Sequence, residues 1–422
     1  MTCPVCFFRE DHQKLLKKSS FEIERFELKL KKYKEEFING IRQMDSLSNC
    51  SCVSTYSHDE MVSWTDAFLN SLKGAESEVK NAFDSIISIY GDFIGKSQKV
   101  ATDRLWSYLK NQGLLTQTEN PITYTKLLFR ARLKGGFDER DIKQYFHIPF
   151  SKRHLVGNQR FSVSGQPMLY FGSSVLAIVK ELEREVDELA IAAFLPSYSE
   201  YYNSKIFSLT NHIGDCIENS LPGIFSAGSR ISYDDEHFSP NKKTISSDIH
   251  KTVLMHICTF PTELTGSFVA EYAVPQLLTT ALLEHGYSGI VFPSTKDYSD
   301  FSGYHRFSTH HINLGIFVPY DSNNDTNEIL LKTFSVFTLD GSETFKLTTK
   351  DIIEKAGTII KVNKKSTRNN SDYMLPVVKL QLHIEYMDKS QISGVQYFET
   401  GIGKLELALY MKMLCHIEKL VH

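Results

Sequence analysis

The sequence predicts an α+β protein, and three observations carry that expectation. Apolar residues recur every three or four positions through most of the first 120 residues, which is helical spacing. From about residue 121 the pattern shifts to short alternating runs separated by Gly, Pro, Ser and Asn, the pattern of strands and turns. A helical stretch closes the chain. The reading divides the chain into a helical region over 1–120, a mixed α+β domain over 121–320, and a β-rich extension over 321–422 ending in a helix.

In the first region, Ile23, Phe26, Leu30, Tyr33, Phe37 and Ile41 mark an amphipathic helix within Phe21–Met44. The polar stretch Ser46–Ser57 interrupts it. A long helix is expected from about Asp59 to Tyr90 and another from about Ser97 to Lys110, stopped at Asn111-Gln112-Gly113. Asn120-Pro121 reads as a boundary. Lys126–Leu133 alternates as a strand with Arg130 and Arg132 on one face and Leu127, Phe129, Ala131 and Leu133 on the other. Pro167–Phe171 is a second strand. Gly172-Ser173-Ser174 offers an N-cap to a helix whose apolar stripe runs Val175, Val179, Leu182, Val186, Leu189.

Glu188–Leu195 and Ile206–Thr210 read as strands, and 224–250 as a long polar loop. Glu271–His285 is a helix closed by Gly286. Ser288–Phe292 and His311–Val318 are buried strands. Leu331–Leu339 and Val377–Tyr386 make the C-terminal part β-rich, before a helix over about Ile402–Leu420.

Composition narrows the function classes. The 422 residues carry a net charge of -3 with 41% hydrophobic and 23% charged residues. Such a balance neither attracts nucleic acid nor an anionic membrane. The basic run Lys364-Lys365-Ser366-Thr367-Arg368 reads as a solvated loop. Nothing reaches the roughly 18 apolar residues a membrane span requires, and the N-terminus lacks a signal-peptide core. A cytoplasmic protein with reduced thiols is the expectation.

Four of the seven cysteines fall early: Cys3, Cys6, Cys50 and Cys52. Cys-x-x-Cys followed by a second pair can supply four thiolates to a structural zinc ion, a closed site with no position for catalysis. The alternative is four ordinary thiols. Cys216, Cys258 and Cys415 read as small core residues.

The stretch Gln159–Glu181 concentrates chemistry. Arg160, the turn glycine Gly165, Tyr170 and Glu181 sit at fixed steps across turn, strand and helix. A guanidinium, a phenol and a carboxylate held by such a unit suit a charged, ribose-bearing ligand. Arg130 and Arg132 read either as a solvated face or as a phosphate clamp, because guanidinium forks match phosphate oxygens in pairs.

Taken in order, these residues resemble a RES domain. The pattern comprises Phe129-Arg130-Ala131-Arg132, His147-Ile148-Pro149, Arg160, Gly165, Leu169-Tyr170 and Glu181. It continues with Tyr272-Ala273-Val274-Pro275-Gln276, Gly289-Ile290, Ser294-Thr295 and Asn313-Leu314-Gly315-Ile316-Phe317. Glu181 stands 21 residues after Arg160 and 11 after Tyr170. The resemblance covers about residues 122–320, and Leu195–Tyr272 is longer than in compact family members. The helical front is similar to the HEPN/RES N-terminal regions that accompany some RES domains.

The resemblance implies an ADP-ribosyltransferase-like fold acting on NAD as substrate. It implies a toxin or phage-defence role in which the nicotinamide–ribose bond is cleaved by hydrolysis, by phosphorolysis, or with transfer of ADP-ribose to a protein. Glu181, Arg130 and Tyr170 then take catalytic roles. Arg160, Ser294, Arg132 and Gln276 hold the dinucleotide. Glu183 and Glu185 are close enough to compete with Glu181 for its role.

Other readings stay open. A module of the same fold could bind a nucleotide without turnover. Arg140 and His147 match a loose ribonuclease spacing, although Pro149 cuts it short. An NAD-consuming enzyme needs restraint, from an antitoxin-like partner or from its own front and inserted segments. A homo-oligomer is compatible with the sequence.

Overall fold

A computed structural model describes residues 2–52, 59–115, 127–197, 204–209, 242–264, 266–302, 311–339, 346–365 and 374–421. The mixed α+β class holds: a helical front, a seven-stranded sheet, and a helical C-terminal end.

The front comprises α1 (Pro4–Phe7), α2 (Glu10–Lys18), α3 (Phe26–Gln43), α4 (Asp59–Gly74), α5 (Glu76–Gly95) and α6 (Gln98–Asn111). In α3, Phe26, Leu30, Tyr33, Phe37 and Ile41 are all buried, so the periodic stripe is the face that packs. The expected single helix over Asp59–Tyr90 is two, broken at Ala75, whose backbone (φ -103, ψ 20) leaves the helical region. Ser97 caps α6 by accepting from the Val100 amide. The expected boundary at Asn120-Pro121 lies outside the described residues.

The sheet contains β1 (Leu128–Leu133), β2 (Met168–Gly172), β3 (Leu189–Pro196), β4 (Ile206–Ser208), β5 (Gly289–Pro293), β7 (Ile312–Phe317) and β8 (Phe334–Thr338), in the order β4-β5-β7-β2-β1-β3-β8. A short β6 (Phe301–Ser302) joins β9 (Gln391–Ile392) and β10 (Val395–Gln396) in a small separate sheet. Among the described residues only β4 and β5 pair in parallel. β1 meets β2 at a single registered pair, Phe129 with Gly172, while β1 runs its full length against β3 and β2 against β7. The sheet therefore forks between β1 and β2.

Both faces are covered. On one, Leu128, Leu169, Phe171, Phe194, Ile312, Leu314 and Phe334 pack with Tyr145 and Phe146. The other is shared. Over the β5–β7–β2 half, Met168, Ile290, Phe292 and Phe317 join one core with the front and with α8 (Lys242–Cys258) and α9 (Ala273–Glu284). Over the β1–β3 half, Phe129, Ile191 and Ala193 pack against α7 (Val175–Leu182) and the C-terminal helices.

Three expectations are corrected. α7 ends at Leu182, because Glu183 adopts a left-handed backbone (φ 52), so Val186 and Leu189 do not continue its stripe. The polar loop expected through residue 250 gives way to α8 from Lys242 onward. The C-terminal part is helical rather than β-rich. After α10 (Glu328–Thr333) and β8 come α11 (Thr349–Lys365), α12 (Met374–Met387) and α13 (Gly401–Val421). Val377–Tyr386 lies in α12, where Val377, Leu380, Ile384 and Met387 are buried at three- and four-residue steps. Lys364 and Lys365 end α11, and 366–368 lie outside the described residues.

Candidate functional site

The site forms where α7 ends over the fork of the sheet. Three contacts seat α7. Ser174 caps it, accepting from the Ala177 amide at 3.0 Å. Glu406 on α13 accepts from the Val175 amide at 3.0 Å. Gly172 lets the helix lie close on β2, since a Cβ there would stand 2.8 Å from the Ile178 side chain. This brings Glu181, in the last turn, over the ends of β5 and β7.

There the half-buried Glu181 carboxylate accepts on Oε1 from the Ser294 hydroxyl at 2.6 Å and from the Asn313 amide nitrogen at 2.7 Å. Ser294 is 1% exposed. Its own oxygen accepts from the Lys296 amide at 3.3 Å, and its backbone amide donates to the His311 carbonyl. The segment after β5 grips α7 twice more, through Lys180–Asp300 (2.7 Å) and Lys296–Glu183 (2.6 Å). Glu183 is thereby engaged at the surface, and Glu185 caps its own short turn with Glu188. Of the three glutamates, Glu181 alone meets the expected Ser294.

Tyr170 shares this face of the sheet, because its register partner Gly315 is two residues along from Asn313. Burial pushes its phenol up, with Glu181 close enough to add to the effect. Arg160 lies nearby. Its Nη1 donates to the carbonyls of Cys258 (3.2 Å) and Phe260 (2.8 Å) at the C-terminal end of α8, and its guanidinium covers the Tyr272 ring at 5.0 Å. Gln276 donates to Asn158 (2.6 Å) and to the Gln159 carbonyl (2.9 Å), holding the turn that carries Arg160. Arg160 and Gln276 are thus tied into the scaffold beside Glu181.

Arg130 and Arg132 leave β1 on the opposite face. Their partners on β3 are Ala192 and Ala190, which belong to the core on that side. Arg130 Nη1 donates to the Tyr170 carbonyl at 2.9 Å, and Arg132 Nη2 to the Phe146 carbonyl at 2.9 Å. The structure therefore unites Glu181, Ser294, Tyr170 and Arg160 on one side and leaves the Arg130–Arg132 pair facing the other. The contact between the two sides is the Arg130–Tyr170 bond in the fork. Nε of both arginines is buried and without a hydrogen-bond partner. Neither has a carboxylate partner among the described residues. Burial, then the neighbouring Arg132, lowers Arg130 to about 9. Two desolvated cations without a counter-charge are costly unless an anion joins them.

The front roofs the site. Lys14 Nζ on α2 donates to the Lys296 carbonyl at 2.7 Å. A cavity of about 20 Å³ lies between Glu10, Lys14 and Lys17 of α2, His256 of α8, Pro293 at the end of β5 and Thr295 just after it. Lys17 is 3% exposed, and its ammonium stands over the Tyr33 and Phe260 rings at 5.5 and 5.7 Å. Burial pushes it down to about 7.

Sequence reasoning missed Asn313, Tyr298 and Lys17. Tyr298 stacks on His311, centroids 3.9 Å apart and rings within 6° of parallel, close enough to Glu181 to feel its charge. Asn313 carried a signal, as a polar residue opening an otherwise apolar strand. Lys17 carried none, sitting in a run of lysines. His147 is unavailable as an acid–base group: it is buried, its Nδ1 lies 2.8 Å from the Ile148 carbonyl, and its Nε2 accepts from the Asn327 amide.

The four early cysteines come together. Their sulfurs all lie within 4.8 Å of one another, and all four are free thiols.

No family model matches the chain, and no solved structure matches it. A stretch of 39 residues is 54% identical to "Putative toxin YopC" of Bacillus subtilis (strain 168). That stretch spans 9% of this chain and 9% of that protein. No helix among the described residues is long and apolar enough to cross a membrane.

Proposed function

We propose that the chain is an NAD-consuming toxin or defence effector of RES type, cleaving the bond between nicotinamide and ribose. The observation that carries this reading is the Glu181 carboxylate held by Ser294 and Asn313 at 2.6 and 2.7 Å beside Tyr170. Departure of nicotinamide develops positive charge on the ribose, as in glycoside cleavage. A carboxylate fixed by two donors orients the ribose hydroxyls and stabilises that charge. Tyr170 offers a ring face to nicotinamide. Arg160, the guanidinium on the Glu181 side, suits the negative charge of the pyrophosphate, while Arg130 and Arg132, bonded to the Tyr170 and Phe146 carbonyls on the opposite face, are assigned no contact with it. Water, phosphate or a protein side chain takes the released ADP-ribose, which gives glycohydrolase, phosphorylase or ADP-ribosyltransferase activity from one cleavage. The short match to a protein named as a toxin fits this role, and with it an inhibitory antitoxin as partner.

A second reading is a nucleotide-binding module without turnover. The hydrogen bonds that tie Arg160 and Gln276 into the scaffold favour it, because groups committed to holding the fold are not free to act on a bound nucleotide. One experiment separates the two. The purified full-length chain is incubated with NAD, with and without phosphate, and products are identified by mass. The enzyme reading expects free nicotinamide from the native chain and none from Glu181→Gln. NAD left intact by both, together with measurable binding, establishes the silent module instead.

A further inference from the structure

We infer that Cys3, Cys6, Cys50 and Cys52 form a mononuclear zinc site that clasps the front together. The inference is independent of the NAD reading. Cys3 Sγ lies 3.4 Å from Cys52 Sγ, Cys6 Sγ 3.7 Å from Cys50 Sγ, and Cys52 Sγ 3.3 Å from Cys50 Sγ. Four sulfurs about 2.3 Å from one tetrahedral ion stand about 3.8 Å apart. The observed spacings sit close to that figure. They are far too long for a disulfide, whose sulfurs are about 2.05 Å apart. They are also too short for the sulfurs to surround a multi-iron cluster, whose own atoms would fill the space.

The local backbone is built to present these sulfurs. Cys3 precedes α1 and its carbonyl accepts from the Phe7 amide, so Cys3 and Cys6 lie one helical turn apart. Cys50 follows a 3-10 turn over Leu47–Asn49 that Ser46 caps. The Asp45 amide donates to the Thr2 carbonyl at 3.1 Å, joining the two segments just outside the sulfur cluster. Cys3 and Cys50 are buried while Cys6 and Cys52 are partly exposed, so an ion enters from one side. Phe7 and Phe8 beside them pack on Phe37, which roots the cluster in the core of the front.

The donor set narrows the choice of metal. Four thiolates are soft ligands, which bind zinc and exclude calcium and magnesium. All four positions are filled by protein, so the ion is structural. Its position gives it a specific duty. It ties α1, directly before α2, to the segment after α3, and α2 is the helix that reaches Lys296 beside Ser294. Without the ion, α1 and α2 keep their packing and the hydrogen bonds of Thr2, Gln13 and Lys14 but lose the tie between the two cysteine pairs.

The test uses the full-length chain purified without chelator. Elemental analysis is expected to find one zinc per chain. Cobalt substitution is expected to give the intense visible bands of a tetrahedral thiolate site. Cys6→Ser with Cys50→Ser loses the metal, whereas Cys258→Ser keeps it. Chelation lowers the melting temperature of the native chain and leaves that of the double variant unchanged. Metal-free protein that takes up no zinc after reduction and reconstitution, with all four thiols titrating freely, overturns the inference. So does a mass showing disulfides between these cysteines in the freshly purified chain. Both readings come from the native chain, so a variant that fails to fold does not weaken the test.

Discussion

At the scale of the residue, the site rests on one carboxylate with two donors. Glu181→Gln keeps the shape and removes the charge. On the proposed NAD reading it is expected to lower NAD turnover by about 100-fold or more while shifting the unfolding midpoint little, because Glu181 is only half-buried. Equal turnover in both proteins would falsify the assigned role.

Lys17 supports a prediction with a pH signature. Its folded pKa, about 7, lies below its ordinary 10.5, with burial as the leading cause. Between those values the unfolded chain binds more protons, so this group makes stability rise with pH across that window. At pH 7 and below, its burial costs up to about 5 kcal/mol. Lys17→Met removes that cost with similar bulk. The variant is expected to be more stable than the native chain near pH 7 in urea unfolding, with the gap closing toward pH 10. A gap independent of pH would show that Lys17 is not buried as a strained cation.

Glu181 and Ser294 were legible because their neighbours form an ordered set of turn, strand and helix signals. Lys17 was not, since a lysine among lysines reads as solvent-facing until α2 is seen to lie over Phe260.

At the scale of the element, α7 is held at its start by a group far along the chain. Glu406 is fully buried and accepts from the Val175 amide, His383 Nε2 at 2.9 Å, Tyr397 Oη at 2.6 Å, and Tyr410 Oη. Burial works to raise its pKa, but the hydrogen bonds from His383, Tyr397 and Tyr410 outweigh it and hold the carboxyl below the usual range. Its contribution is therefore present above the ordinary glutamate pKa and is lost as pH falls through the lower folded value. Glu406→Gln is expected to destabilise by about 3 kcal/mol, measured by denaturant unfolding at pH 7, with the difference shrinking in acid. A change under about 0.5 kcal/mol would remove Glu406 as the anchor of α7.

None of this network was legible, because it depends on reading 374–387 as a helix. Leu380, Leu382 and Ile384 alternate with polar residues as a strand would. The three- and four-residue spacing of Val377, Leu380, Ile384 and Met387 decides otherwise only once α11 and α13 supply a surface to bury it. The strands around the site were easier to read. Each is a short apolar run bounded by Gly, Pro or Ser, and tertiary context did not override the local pattern.

At the scale of the whole molecule, the front is part of the site's own core. The sequence marks a change of pattern near residue 120 and suggests a detachable regulatory piece. The structure instead packs Phe26, Tyr33 and Phe83 of the front in one core with Met168, Ile290, Phe292 and Phe317 of the sheet. A buried ion pair locks the two, with Lys29 Nζ on α3 at 2.7 Å from Glu271 Oε1 just before α9. Glu271 is 1% exposed, and its other oxygen has no hydrogen-bond partner. Deleting the front uncovers part of the core it shares with the β5–β7–β2 half of the sheet, so a chain beginning near residue 118 is expected to aggregate on expression. Restraint by the front is better tested by loosening it.

Lys29→Met leaves Glu271 buried without its cation and is expected to cost about 3–5 kcal/mol. Adding Glu271→Met removes the orphaned charge and is expected to recover most of that loss, since a buried pair replaced by apolar groups is often nearly neutral. If the roof restrains the site, Lys29→Met also consumes NAD faster than the native chain at temperatures where both remain folded, and the double variant returns toward the native rate. Single-variant turnover at or below the native rate, with the predicted stability loss present, would place the ion pair in folding alone and leave restraint to a separate partner.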